Sequence, residues 1–192
     1  MRRNRMYDII YADPPWKYND RRNKHTRFCG GAMAHYPVLD YKKIARLNIQ
    51  SITKEDAVLC LWATYPMLKE ALYVMEKWGF KYKTQLFTWI KTNKNNGKPF
   101  FGIGYYTKSN AEVCLLGVKG QTLKPITNKI SSVIISPREA HSKKPEEARY
   151  RIEQLWGDRD RIELFARGKH RGWDCWGNEV ANDVNLKDLE EE

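Results

Sequence analysis

Four consecutive residues, Asp13-Pro14-Pro15-Trp16, combine the groups needed to hold a flat base that carries an amine. Asp13 offers carboxylate oxygens that accept hydrogen bonds, and its place before a proline biases it to an extended backbone. Pro14 and Pro15 have fixed φ and no N–H, so their carbonyls can face a ligand as acceptors with no competing donor nearby. Trp16 gives a broad face for stacking. Lys144 is the second candidate. It precedes Pro145, Glu146 and Glu147, where proline suits the first helical position and acids suit the positive end of the dipole. A lysine beside the free N–H groups of a helix start is an anion site. The third is the basic run from Lys91 to Pro99, which includes Asn93 and leads into the aromatics of residues 100–106. Basic residues mixed with aromatics suit phosphates and unstacked bases, although a β-hairpin excursion with a solvated tip has the same composition.

These residues need elements to position them. Residues 7–12 are β-branched and aromatic and stop at the double proline, so they read as a buried strand with Asp13 at its carboxyl end. Open α/β sheets place their ligands at that end. Residues 57–63 read as a second buried strand. Pro66, then Leu68, Leu72 and Met75, then Gly79, read as a helix with its stop. A strand over 85–90 completes a βαβ unit. Asp40 caps a short helix carrying Ile44 and Leu47. Trp62 and Trp78 read as core. Ala148, Ile152, Leu155 and Trp156 give a later helix its buried stripe, and Gly157 ends it. Residues 161–167 form a strand ending in charge, in which Glu163 needs a partner if buried.

The chain has 192 residues, enough for one domain with a substantial core, and 42% of them are hydrophobic. No apolar run is long enough to span a bilayer. The basic start leads straight into the first strand, without the pattern of a secretory signal, which implies a cytoplasmic protein. Cys29, Cys60, Cys114 and Cys175 are far apart, and the four histidines are scattered, so no metal site or disulfide framework is expected. Lys and Arg number 34 against 23 acids, a net charge of +11 that would attract a polyanion. The acids near the end form a separate tail, 181–192, behind a single domain over 1–180.

Asp13-Pro14-Pro15-Trp16 resembles the catalytic motif of the amino-methyltransferases that act on adenine. Its ending in Trp points to the MT-A70 family. Residues 89–93, 110–116 and 162–167 look like that family's strands, and the likeness runs from about Tyr7 to Val180. It implies an α/β, Rossmann-like S-adenosylmethionine-dependent fold: a mostly parallel sheet with helices on both faces. The chemistry motif comes first and the cofactor segment last, as in the permuted β-type enzymes. The pattern is that of a minimal bacterial or bacteriophage form.

The resemblance also assigns roles. Asp13, Pro14, Pro15 and Trp16 would be catalytic. Asp13, Lys144, Glu163, Arg167, His170, Asn178 and Glu179 would bind S-adenosylmethionine, with Lys144 on the carboxylate of its methionine tail. Trp16, Tyr36, Lys91 and Asn93 would contact the substrate, with residues 17–37 as a gate loop. The implied reaction is methyl transfer to the exocyclic amine of adenine in DNA. RNA is the first alternative, a catalytically inactive nucleic-acid-binding partner subunit the second, and a small-molecule amine methyltransferase the third. A homodimer or a partner subunit is compatible with each nucleic-acid reading, and no membrane is involved.

Overall fold

Tyr7–Ala12 forms the first strand, β1, with all six residues buried. The computed structural model describes residues 5–17, 39–102, 104, 106–139 and 143–186. Tyr36, the gate loop beyond Lys17 and the tail beyond residue 186 lie outside the described residues.

Around β1 the described residues build a sheet from β2 (Thr53–Ala63), β3 (Lys81–Thr92), β4 (Ala111–Lys119), β5 (Val133–Pro137), β6 (Arg161–Leu164) and β7 (Asp174–Trp176). The order is β5-β3-β4-β2-β1-β6-β7. The β1–β2, β1–β6, β3–β5 and β6–β7 pairs are parallel, while β4 is antiparallel to both β2 and β3. The sheet is therefore mostly parallel. β6, remote in sequence, lies beside β1 and sets Glu163 opposite Tyr11.

The helix α2 (Leu68–Lys77) connects β2 to β3 as the periodicity indicates, but the two strands are not neighbours. The chain returns after β3 and inserts β4 between them. Gly117 of β4 lies under α2, where a Cβ would come within 2.9 Å of Met75 Sδ, so glycine allows helix and strand to close.

The helices cover both faces. On one, α1 (Tyr41–Ala45) and α2 pack Ile44, Ala71, Val74 and Met75 against Leu59, Leu61, Val113 and Leu115. On the other, α3 (Glu146–Trp156) packs Ala148, Ile152 and Trp156 against Ile9, Tyr11, Val58 and Cys60. Ile10 and Ala12 serve the first layer and Ile9 and Tyr11 the second, the alternation a strand imposes. Trp62 and Trp78 are fully buried. Asp40 caps α1, its side chain accepting from the Lys42 N–H at 2.9 Å. None of the described helices is long and apolar enough to cross a membrane.

The strand expected over 161–167 stops at Leu164. Phe165 takes a positive φ of 60° and turns the chain, its ring set edge-on to Trp176 at 5.5 Å. At the amino edge of the sheet, a crevice of about 510 Å³ holds Arg5, Asp8, Lys54, Asp160 and Asp174. Its charges pair with one another: Lys54 Nζ lies 2.7 Å from both Asp8 and Asp160, and Arg5 bridges Asp160 and Asp174. That edge is stapled by ion pairs, and the carboxyl edge carries the candidate site.

Candidate active site

Asp13 leaves β1 at the carboxyl edge, where its Oδ1 accepts a hydrogen bond from Lys144 Nζ at 2.7 Å. Lys144 directly precedes Pro145, the N-cap of α3, and its side chain is only 9% exposed. The same ammonium lies 3.3 Å from Glu112 Oε2 at the start of β4 and 5.7 Å from the centroid of the Trp62 ring. The other oxygen of Glu112 accepts from Lys91 Nζ, at the end of β3. Four strand and helix ends thus deliver two carboxylates and two ammoniums in alternation, and their formal charges cancel.

The protonation states follow from that arrangement. Burial raises the Asp13 carboxyl above its ordinary value, an effect that Lys144 offsets in part. Burial alone would lower Lys144, but the Asp13 and Glu112 carboxylates outweigh it and hold the ammonium above its usual range. Burial would raise Glu112, yet Lys144 and Lys91 together hold it below its ordinary value. Lys144 is the group that keeps its proton, and Asp13 is left as an acceptor.

Pro14, Pro15, Trp16, Trp62, Ala63, Thr64 and Arg167 complete the pocket wall around Asp13, Glu112 and Lys144. Trp16 is 5% exposed, and its indole N–H donates to the Trp62 carbonyl at 3.0 Å. It is a fixed wall with little open face. The chain turns immediately after the tetrad. The Trp16 N–H returns to the Pro14 carbonyl at 2.9 Å, and the Leu39 N–H reaches the Pro15 carbonyl at 2.8 Å. The expectation that these carbonyls have no competing donor therefore fails. Each carbonyl oxygen has a second lone pair, so Pro14 keeps one for a ligand.

A second cluster adjoins on β6. Both carboxylate oxygens of Glu163 lie 3.2 Å from Arg149 Nη1, and His170 Nε2 is 3.9 Å from Oε2. Burial pushes the Glu163 carboxyl up to about 7, with Arg149 opposing and the Asp13 charge adding to it. Burial and the Arg149 charge lower His170. Arg167 Nε stands 3.7 Å from Glu179 Oε1, and Asn178 is exposed in the turn after β7.

The structure brings most of the residues singled out in the sequence to one edge. Asp13, Pro14, Pro15, Trp16, Lys144 and Arg167 line one pocket, and Glu163 and His170 form the adjoining cluster. Besides the proline carbonyls and the little-exposed Trp16, Lys91 and Asn93 also differ from expectation. Lys91 spends its ammonium on Glu112, and Asn93 turns back into its own loop, its backbone N–H bonding to Lys98 O at 2.9 Å. Glu112 and Arg149 were not singled out. A lone acid entering an apolar strand, the criterion applied to Glu163, also marks Glu112. Arg149 falls within the stripe of Ala148, Ile152 and Trp156, where a buried guanidinium demands an acid.

The sequence model of the MT-A70 family matches residues 7–179. The chain is 34% identical over 190 residues to the Type II methyltransferase M.MunI of Mycoplasma sp, covering 92% of this chain and 78% of that protein. It is 29% identical over 187 residues to a probable N(6)-adenosine-methyltransferase MT-A70-like protein of Oryza sativa subsp. japonica, covering 95% of this chain but 24% of that one. With the N(6)-adenine-specific methyltransferase METTL4 of Homo sapiens it shares 28% over 189 residues, 91% of this chain and 37% of the human protein. The chain belongs to the MT-A70 family. It spans most of the length of the Mycoplasma protein and about a quarter to a third of the other two.

Proposed function

We propose that this protein transfers a methyl group from S-adenosylmethionine, the donor on which MT-A70 methyltransferases generally depend, to the exocyclic amine of adenine in DNA. The observation that carries the reading is Asp13, whose Oδ1 accepts from Lys144 at 2.7 Å in a pocket walled by Pro14, Pro15 and Trp16. The amine lone pair is delocalised into the ring and is a poor nucleophile. Asp13 and the Pro14 carbonyl each accept a hydrogen bond from that amine, localising the lone pair and aiming it. Position and electrostatics supply the rate, without a covalent enzyme intermediate. Asp13 acts as an acceptor and need not be a strong base, because the proton leaves late from an already cationic amine.

The cofactor fits the donor set at this edge. It supplies, when bound, an electrophilic methyl group on a sulfonium. Lys144 retains one N–H for its carboxylate, and Glu163, Arg167, His170, Asn178 and Glu179 offer acceptors and donors for the rest. The excess charge of +11 favours a nucleic-acid substrate over a free amine. DNA is favoured over RNA because the relative matched along most of its own length is a Type II methyltransferase, while the plant adenosine-methyltransferase is matched along about a quarter. One methyltransferase domain over residues 1–180, a cytoplasmic location, and a homodimer or partner subunit go with this reading.

Incubation with labelled S-adenosylmethionine and either unmethylated DNA or transcribed RNA, followed by digestion to nucleosides, tests it. Label in methyladenine from DNA supports the proposal. Label from RNA alone keeps the mechanism and overturns the substrate. No label in either shifts the reading to a binding subunit.

A further inference from the structure

The excursion between β3 and β4, residues 93–110, holds three lysines, Lys94, Lys98 and Lys108, and no acid. It leaves the sheet at the edge that carries Asp13. Its base is anchored to the site: the backbone of Lys91 bonds to both Asn110 and Phe100 at 2.8 Å, while the Lys91 side chain joins Glu112. Thr92 bridges to Pro99.

The two limbs of the excursion touch. The Gly102 N–H donates to Ser109 O at 2.8 Å. A Cβ on Gly102 would fall 2.3 Å from that oxygen, and one on Gly104 would fall 2.0 Å from Thr107 O, so the approach requires glycine at both positions. This closure leaves Phe101 70% exposed and Tyr106 fully exposed. Phe100, which precedes Phe101, carries the Arg138 guanidinium 3.7 Å from its centroid, and the Arg138 N–H reaches Thr92 O at 3.3 Å. A guanidinium stacked on a ring keeps its N–H edge for phosphate or base.

Rings left in water forgo burial. The excursion that carries them holds three lysines and no acid, and that charge selects a polyanion over an apolar protein face. We propose that Phe101 and Tyr106, with Arg138 held on Phe100, form a stacking surface for the nucleotides next to the target adenine. This rests on the nucleic-acid reading above and adds to it the residues that hold the strand outside the pocket.

The test measures binding of a fluorescein-labelled, adenine-containing single-stranded deoxyoligonucleotide across a salt titration, with methylation of the same oligonucleotide as a parallel readout. Phe101→Ala and Tyr106→Ala should each weaken binding at least about fivefold. They should leave the salt slope and the cofactor Kd unchanged, because no charge is lost. Phe101→Trp should restore binding, and Lys98→Ala should instead lower the slope by about 0.7. If the alanine variants bind like wild type while wild type binds and methylates, the stacking surface is wrong and the function stands. If they alter the mass in light scattering and leave oligonucleotide binding alone, the rings face a second copy of the chain, which also overturns the proposal. If wild type methylates no nucleic acid, the underlying reading fails and this inference with it.

Discussion

Lys144 Nζ lies 2.7 Å from Asp13 Oδ1, although 131 positions separate the two residues in the chain. The contact joins the start of α3 to the end of β1 and fixes the carboxylate on which the proposed chemistry depends. Asp13 and Glu112 take two of the three donors of the ammonium, which leaves one for a ligand. The lysine expected to hold the cofactor thus also anchors the residue proposed to meet the substrate amine.

Asp13→Asn keeps the shape of the side chain and removes its charge and one acceptor. The transfer rate should fall by about 10²–10³, the scale of losing one preorganised electrostatic contact. Cofactor affinity should change only a few-fold. Single-turnover rates and calorimetric titration measure the two separately, and a variant with the wild-type rate would remove Asp13 from the mechanism.

Lys144→Met leaves Glu112 with Lys91 and takes from Asp13 the ammonium that donates to it. Cofactor binding should weaken by about 1.5–3 kcal/mol, as for a lost charge-assisted hydrogen bond. The fold should lose up to about 3–5 kcal/mol, because an unpaired buried charge remains. Titration with the cofactor and chemical denaturation check the two effects. An unchanged cofactor Kd would place Lys144 outside the cofactor site.

Much of the molecule was readable from the chain because the signals are local. β1 matches residues 7–12 because a β-branched run ends in two prolines, and α3 ends at Gly157, which takes a φ of 68°. The insertion of β4 between β2 and β3 was not readable. It depends on where α2 packs, which Gly117 permits but does not announce. β5 escaped notice because its Ser136-Pro137 end reads as the approach to a helix, and β7 because three residues carry no period. In the site, Asp13 and Lys144 carry motif signals. Glu112 and Arg149 become functional candidates only through partners on other elements, and no spacing within the sequence encodes that proximity.

Glu112→Gln tests a residue of that kind. It removes the charge shared by Lys91 and Lys144 and leaves Asp13 as the sole acid on Lys144. Stability should drop by about 1.5–3 kcal/mol, the range for a hydrogen bond to a charged group. The transfer rate should fall more than cofactor affinity, because the ammonium that positions Asp13 loses its second anchor. Equal stability and rate in denaturation and single-turnover assays would show that water replaces the pair without consequence.

Glu163 gives a pH dependence with a definite sign. Its carboxyl in the fold sits at about 7, above the ordinary 4.5. The folded protein therefore holds a proton that the unfolded chain has released across that interval. Stability from this group is complete below the ordinary value and is lost as pH rises through about 7. The whole effect amounts to at most about 3 kcal/mol. Glu163→Gln mimics the protonated acid, so the variant should keep more of its stability between about pH 5 and about pH 8 than wild type does. His170, lowered in the fold, gains stability with rising pH, but it is present in both proteins, so the difference between them mainly reports Glu163. Denaturation midpoints across that range decide the matter. Parallel curves would mean that Arg149, at 3.2 Å from both oxygens, keeps Glu163 ionised throughout.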